Sequence, residues 1–402
     1  MANSLYLSYD GMTDPLGQSQ VLPYLFGLSK LGHSITLVSF EKRENDYLSK
    51  KIFDLCKENN VHWYPLTYTK NPPVFSTIYD LLKLLRLVRK LHQQFSFDII
   101  HCRSYLTALI GLHLKRKKGI SFLFDMRGFW ADERVEGNIW NLKNPIFKLV
   151  FKFFKKKEKQ FFTEADHIIS LTYAGKKIIQ DWEIEIGKIA PITVIPCCVD
   201  LNLFDYNKYK YIKPDPHYFT LGYIGSIGTW YLLDEMLDFF KYFLENKPES
   251  IFKFITKDNP ALILEKSRAK QIPLHKIQIV TSTREDIPKH IATLDASIFF
   301  IKPSFSKQAS SPTKMAEIMA MGKPIICNSY VGDSDELVKQ EKLGLVVKQF
   351  DKKHYQKVIQ EMNNFELDIL KLNAFTQLQF SLKEGVKRYY SVYEALSNKK
   401  TD

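Results

Sequence analysis

The chain has 402 residues, 45% of them hydrophobic and 25% charged, which suffices for two cores of ordinary domain size and excludes a disordered or fibrous class. Its five cysteines (Cys56, Cys102, Cys197, Cys198 and Cys327) form no CxxC pair and no evenly spaced framework, so reduced thiols in a cytosolic protein are expected, not a zinc site or a disulfide scaffold. A formal net charge of +13 calls for an anionic partner, and no zinc-knuckle, RRM or KH pattern accompanies it; a phosphate-bearing substrate or an anionic membrane surface is expected, and no nucleic acid.

Ser4 to Tyr9 alternates like a first strand and runs into Asp10-Gly11, without the basic and apolar regions of a secretion signal. The longest apolar stretches, such as Leu106 to Leu112, are far shorter than the roughly 18 to 20 residues of a membrane span. A cytoplasmic protein, either soluble or peripheral on the inner face of the cell membrane, is the expectation. Gly17 and Gln18 follow the first strand, and Gly17 would let backbone approach a substrate. A helix over 18–31 leads to a strand at Ile35 to Phe40, a helix over 76–94 to Asp98-Ile99-Ile100 and His101, and a helix over 105–116 to Ser121 to Phe124. Such alternation predicts a parallel sheet with helices on both faces.

The segment Asp125-Met126-Arg127-Gly128-Phe129-Trp130-Ala131-Asp132-Glu133-Arg134 follows a strand and concentrates carboxylates, arginines and a tryptophan. As a loop it suits a sugar-phosphate cleft, with Asp125 and Glu133 as acceptors for hydroxyls, Arg127 as a cation for phosphate and Trp130 as a face for a ring; a surface salt-bridge loop is the alternative. Lys148, Lys152, Lys155, Lys156, Lys157 and Lys159 are interleaved with Phe147, Phe151, Phe153 and Phe154, which suits either a membrane-interface helix or an ordinary amphipathic one. Pro191 to Asp200, with the polar stretch around Pro214 and Pro216, reads as a linker. The rhythm then restarts at Tyr218 to Gly225, with strands near 251, 277, 296, 324 and 344. The expected domains are 1–198 and 199–383, with a helix over about 384–398 packing back on the first.

Ser311-Pro312-Thr313-Lys314 precedes the apolar run ending at Gly322-Lys323-Pro324. Ser311 is expected to cap a helix with Pro312 at its first position, leaving the amides of Thr313 and Lys314 to bind an anion. Lys314 adds a charge for a diphosphate, and Glu317, one turn on, would accept ribose hydroxyls. A well-capped helix with solvated Lys and Glu is the competing account.

Here the chain resembles glycosyltransferase family 4, the retaining GT-B enzymes, whose signature is Glu-x7-Glu before an apolar helix and Gly-x-Pro. Glu317 matches the second glutamate, and Ala309 stands where the first would be. The resemblance extends to the Gly17 loop, to Gly32-His33, to Val194-Ile195-Pro196-Cys197-Cys198-Val199-Asp200, to the glycine loop at Gly225, and to a last helix carrying Val386, Tyr389, Tyr390, Tyr393 and Leu396. It implies an α/β GT-B fold of two Rossmann-like, doubly wound parallel-sheet domains facing across a cleft. It also implies a retaining, metal-independent transfer, without cofactor, from a nucleotide-diphosphate sugar to a glycan or lipid-linked acceptor in envelope or exopolysaccharide biosynthesis. Asp125, Glu133 and Lys314 are the catalytic candidates; Gly17, Gln18, His101, Arg127, Gly225, Ser311, Thr313 and Glu317 are the binding candidates. The family's diphosphate-clamping Arg and Lys are missing from Gly225 to Trp230, so Lys314 is the substitute, ahead of Lys257 and Arg284. Asp333-Ser334-Asp335 lies in a glycine-bearing loop where no metal role is expected. The competing functions are an epimerase or inverting transferase on the same fold, and a non-catalytic sugar-nucleotide-binding protein.

Overall fold

The computed structural model describes residues 1–398 and divides into two compact α/β units. The first comprises Met1–Pro196 together with the helix Leu382–Asn398, and the second is Cys197–Ser381.

The first unit is built on β1 (Asn3–Ser8), β2 (Ser34–Glu41), β3 (Val61–Thr67), β4 (Ile99–Arg103), β5 (Ser121–Asp125), β6 (His167–Ser170) and β7 (Ile192–Val194), in the order β3-β2-β1-β4-β5-β6-β7. Every pairing is parallel. The second unit repeats the plan with β8 (Thr220–Ile224), β9 (Ile251–Ile255), β10 (Ile277–Val280), β11 (Ala296–Phe299), β12 (Ile325–Asn328) and β13 (Gly344–Val347), ordered β10-β9-β8-β11-β12-β13 and again parallel. Central strands such as β4, β5 and β8 are buried along their whole length, as parallel strands covered on both faces must be. In each sheet the winding reverses once, between β1 and β4 and between β8 and β11, and open α/β sheets collect ligands at the carboxyl ends of strands beside such a reversal.

Three local expectations need correction. The residues after Asp125 form only a short turn before a helix at Trp130–Glu136, so Glu133 is helical. Trp130 does not present a free face: it stacks on Tyr105 at 5.9 Å and meets Trp140 and Phe154 edge-on. The start of the expected linker is β7, which pairs with β6, and Cys197 and Cys198 beyond it are buried. The periodicity also missed β3, an edge strand that contains Pro65 and exposes alternate residues.

The lysine- and phenylalanine-rich segment lies in the helix Pro145–Glu164, where its residues divide. Phe154 enters the core and Lys155 pairs with Asp132 at 2.8 Å and with Glu158, whereas Phe153, Lys148, Lys152 and Lys156 are exposed. All five cysteines are free and buried, and burial raises the thiols of Cys56, Cys102 and Cys327, so these three are poor nucleophiles.

The helix Leu382–Asn398 packs on the helix Leu22–Lys30 of the first unit, where Gly27 permits the approach. A Cβ at Gly27 would stand 2.5 Å from Val386 Cγ2. Gly27→Ala should therefore destabilise the chain by about 1 to 2 kcal/mol, since overpacking outweighs the helix-propensity gain. Adding Val386→Ala should recover part of the loss, which urea unfolding of both variants measures.

Candidate functional site

In the first unit the polar residues gather at the carboxyl ends of β1, β4 and β5. Asp125 closes β5 and is 1% exposed. Tyr389 donates to its Oδ2 at 2.9 Å, His101 Nε2 stands 3.4 Å from the same oxygen, and Arg127 Nη1 lies 3.8 Å from Oδ1. Burial pushes the Asp125 carboxyl up, but Arg127 and the His101 hydrogen bond pull it further down, so the net position is below the usual carboxylate range. Burial also lowers His101, whose imidazole is therefore neutral at neutral pH. A carboxylate only accepts, so Nε2 carries the proton and Nδ1 accepts from the Tyr393 hydroxyl at 3.0 Å. Both ring nitrogens of His101 are thus engaged inside the unit.

Gly17 is buried in the short helix Pro15–Gln20, where a Cβ would stand 2.2 Å from the Gly11 carbonyl oxygen; close packing within the loop explains this glycine. Gln18 Nε2 donates to the Thr13 carbonyl at 3.0 Å. Glu133 is half-buried in the first turn of its helix. Sequence reasoning missed Arg103, the last residue of β4, whose Nε donates to Asp10 Oδ2 at 3.1 Å. Its signal was its position two residues after His101, which puts both side chains on one face of a strand that had been ended too early.

In the second unit Lys314 is the second residue of the helix Thr313–Ala320 and is buried. Its ammonium lies over the rings of Tyr231, at 3.5 Å, and Tyr223, at 4.1 Å, and Nζ has no hydrogen-bond partner among the described residues. Burial holds it well below the usual lysine range. Gly225, at φ +100°, stands against it: a Cβ there would be 3.4 Å from Nζ. The loop after Gly225 is pinned by Asp258, which accepts from Ser226 Oγ at 3.0 Å and from the Ile227 amide. Glu317, one turn after Lys314, is buried and accepts from Arg284 Nη1 at 3.0 Å. Burial raises the Glu317 carboxyl against the pull of Arg284.

The cap differs from expectation. Pro312, not Ser311, is the N-cap, and Ser311 Oγ instead accepts from the Cys197 amide at 3.2 Å. The first-turn amides of Thr313 and Lys314 keep the orientation of a helix start, which suits an anion whichever residue caps. Lys257 is exposed, and Arg284 is committed to Glu317. Lys307, unforeseen from sequence, is buried with its ammonium 3.7 Å above Trp230 of the glycine loop. Asp333 and Asp335 flank the start of the helix Ser334–Gln340, and among the described residues no group of three or more His, Cys, Asp and Glu is arranged to hold a metal.

The model for Glycosyltransferase Family 4 matches residues 24–203, and that for Glycosyl transferases group 1 matches residues 210–371. The chain belongs to the GT-B glycosyltransferases of family 4 type. Solved structures agree on the fold of this glycosyltransferase. Sucrose-phosphate synthase from Thermosynechococcus elongatus is 15% identical with a TM-score of 0.71, covering 98% of this chain and 99% of its own. Anabaena HepE in complex with UDP-glucose is 13% identical with a TM-score of 0.65, covering 98% and 99%. The α,α-trehalose 6-phosphate synthase of Burkholderia multivorans is 10% identical with a TM-score of 0.66, covering 100% and 99%. No curated protein sequence matches the glycosyltransferase.

A buried ammonium without a hydrogen-bond acceptor costs stability that a well-packed apolar side chain does not. Lys314→Met should therefore stabilise the unliganded glycosyltransferase by about 1 kcal/mol. Urea unfolding without nucleotide tests this, and a destabilised variant would mean that the two tyrosine rings fully compensate the charge.

Proposed function

We propose that this glycosyltransferase is a retaining, metal-independent enzyme that moves a sugar from a nucleotide-diphosphate sugar, held by the second unit, to a hydroxyl of a glycan or lipid-linked acceptor held by the first. The observation that carries the reading is Lys314, a buried cation without a hydrogen-bond acceptor, at a helix start and against a glycine. Such a group matches a diphosphate, whose leaving oxygen gains charge as the glycosidic bond breaks. Thr313 and Lys314 add backbone amides, and Gly225 leaves its side of the site without a side chain. Glu317, oriented by Arg284, accepts from the ribose hydroxyls. HepE in complex with UDP-glucose supports a donor of this class.

On the acceptor side a carboxyl held below its usual range is a weak base. Asp125 therefore serves by accepting a hydrogen bond from the acceptor hydroxyl, with Glu133 the second carboxylate candidate. Glu317→Ala should weaken nucleotide-sugar binding by roughly 1.5 to 3 kcal/mol through loss of charge-assisted hydrogen bonds. Lys314→Met should lower kcat at saturating donor by about 10²- to 10³-fold, more than it weakens binding. Calorimetry across UDP-, GDP-, ADP- and dTDP-sugars, followed by turnover, checks both; unchanged donor affinity in folded Glu317→Ala would remove the second unit's site from the reading.

We further propose that the enzyme works on the cytoplasmic face of a membrane in polysaccharide biosynthesis. No helix among the described residues is long and apolar enough to cross a membrane. The support is the outer face of Pro145–Glu164, where Ile146, Leu149 and Phe153 are exposed at helical spacing beside exposed Lys148, Lys152 and Lys156. The helix Phe75–Phe95 adds exposed Phe75, Ile78, Tyr79 and Leu82, and the helix Ser104–Lys118 packs against both. Cosedimentation with vesicles containing anionic lipid should fall with added salt and with Lys148, Lys152 and Lys156 all changed to Gln. Equal binding by that variant at low salt would dismiss the membrane reading.

A further inference from the structure

We propose that Asp258 is a positioning residue of the donor site: its carboxylate fixes the loop after β8 against the Lys314 ammonium and serves that ammonium as a counter-charge. The inference deepens the reading above and rests on its placement of the donor diphosphate at Lys314.

Sheet register brings the loop and the carboxylate together. β8 and β9 run parallel with Ile224 opposite Ile255, and the Gly225 amide still donates to the Ile255 carbonyl at 2.9 Å. The chain leaves both strands at the same level, so Ser226 and Asp258 meet just beyond them. The Asp258 amide donates to Thr256 Oγ1 at 3.1 Å, a local turn that fixes the backbone of the aspartate. Its carboxylate then accepts from Ser226 Oγ at 3.2 Å on Oδ1 and 3.0 Å on Oδ2, and Oδ2 also accepts from the Ile227 amide.

The loop from Gly225 to Tyr231 forms one side of the Lys314 surroundings. Tyr223 before it and Tyr231 at its end present their rings to the ammonium, and the Tyr223 hydroxyl donates to the Ser226 carbonyl. The far end of the loop is tied to the exit of β11, where Tyr231 pairs with Ile301 and the Leu232 amide donates to the Phe300 carbonyl at 2.9 Å. At the near end Ser226, Gly228 and Thr229 are exposed while Ile227 packs inward, so little burial holds this stretch and the bonds to Asp258 matter more.

Charge gives the same carboxylate a second role. Burial lowers Lys314, while Glu317 and then Asp258 favour its charged form. Glu317 is already bonded to Arg284 at 3.0 Å, whereas the donors to Asp258 are a hydroxyl and an amide, both neutral. Gly225, whose Cβ would stand 3.4 Å from Nζ, directly precedes Ser226, so this part of the loop interposes no side chain. The groups acting on the ammonium are thus Glu317 with its Arg284, Asp258, and Tyr223 and Tyr231, whose hydroxyls burial keeps protonated. An arriving diphosphate needs a cation, and burial alone favours the neutral amine.

Two variants of the full chain separate the roles. Asp258→Asn removes the charge and keeps an acceptor oxygen for the Ile227 amide, and Asp258→Ala removes both. In ligand-free protein the ε-carbon NMR resonance of Lys314, identified by its loss in Lys314→Met, is followed against pH. Removing a nearby negative charge disfavours the ammonium, so Lys314 should lose its proton at lower pH in Asp258→Asn than in the parent. Inorganic pyrophosphate is then titrated by calorimetry at acid pH, counting only the binding that Lys314→Met abolishes. Asp258→Ala should lose roughly tenfold or more of that affinity, and Asp258→Asn less, because hydrogen bonds to the loop survive in it. The proposal is overturned if Lys314 titrates alike in the parent and in Asp258→Asn, or if Asp258→Ala binds pyrophosphate as the parent does. If Asp258→Ala does not fold, the Lys314 titration in Asp258→Asn decides. Pyrophosphate binding that Lys314→Met leaves undiminished marks failure of the donor reading instead, and the Lys314 resonance still decides this inference.

Discussion

A charged carboxylate at 1% exposure must be matched by donors, and Asp125 is matched by groups from widely separated parts of the chain. His101 comes from β4 and Arg127 from the turn after β5, while Tyr389 lies 264 residues away in sequence. His101 is itself fixed through Tyr393, so the carboxylate, the imidazole and the two phenols form one connected network. Removing any member leaves another buried group unsatisfied. The fully buried β4 and β5 and the docked last helix are what hold these groups around the carboxylate.

The second unit handles charge in the opposite way. Glu317 is paired with Arg284, but the Lys314 ammonium is left to the faces of Tyr223 and Tyr231. Aromatic rings offer a cation part of what a hydrogen-bond acceptor would, without competing for its N–H donors. Held this way, the Lys314 ammonium keeps its N–H donors available, at some expense of stability. The first unit gathers buried polar groups around the Asp125 carboxylate and the second leaves the Lys314 ammonium without a hydrogen-bond acceptor, though both grow from the same winding reversal in a parallel sheet.

Much of this was legible in the residues. Strand and helix alternation identifies two parallel sheets, and the motif around Lys314 and Glu317 points to two residues that the fold does bury at one helix start, because both depend on local periodicity and on residues adjacent in sequence. The misses have physical reasons. Ser311 is a strong capping type, yet a tertiary bond from Cys197 claims its hydroxyl. Trp130 looks like a sugar platform until Tyr105, Trp140 and Phe154 are brought around it by the fold. Arg103 and Lys307 sit outside any motif, and their importance arises only from burial. Tyr389 was assigned to an amphipathic helix by spacing, but no spacing rule names Asp125 as its partner.

The placement of the last helix has a consequence for how the protein is made. Translation delivers residues 1–196 first, then all of the second unit, and only afterwards the helix Leu382–Asn398 that completes the first. Domains ordinarily fold in the order in which they leave the ribosome. Here the earlier unit waits for the later one: until Tyr389 and Tyr393 emerge, Asp125 and His101 lack their phenolic partners and the surface around Gly27 is bare. The second unit is the first to have its whole sequence available. A premature stop or a proteolytic nick near the carboxyl terminus therefore spares the unit just made and disables the one synthesised at the outset.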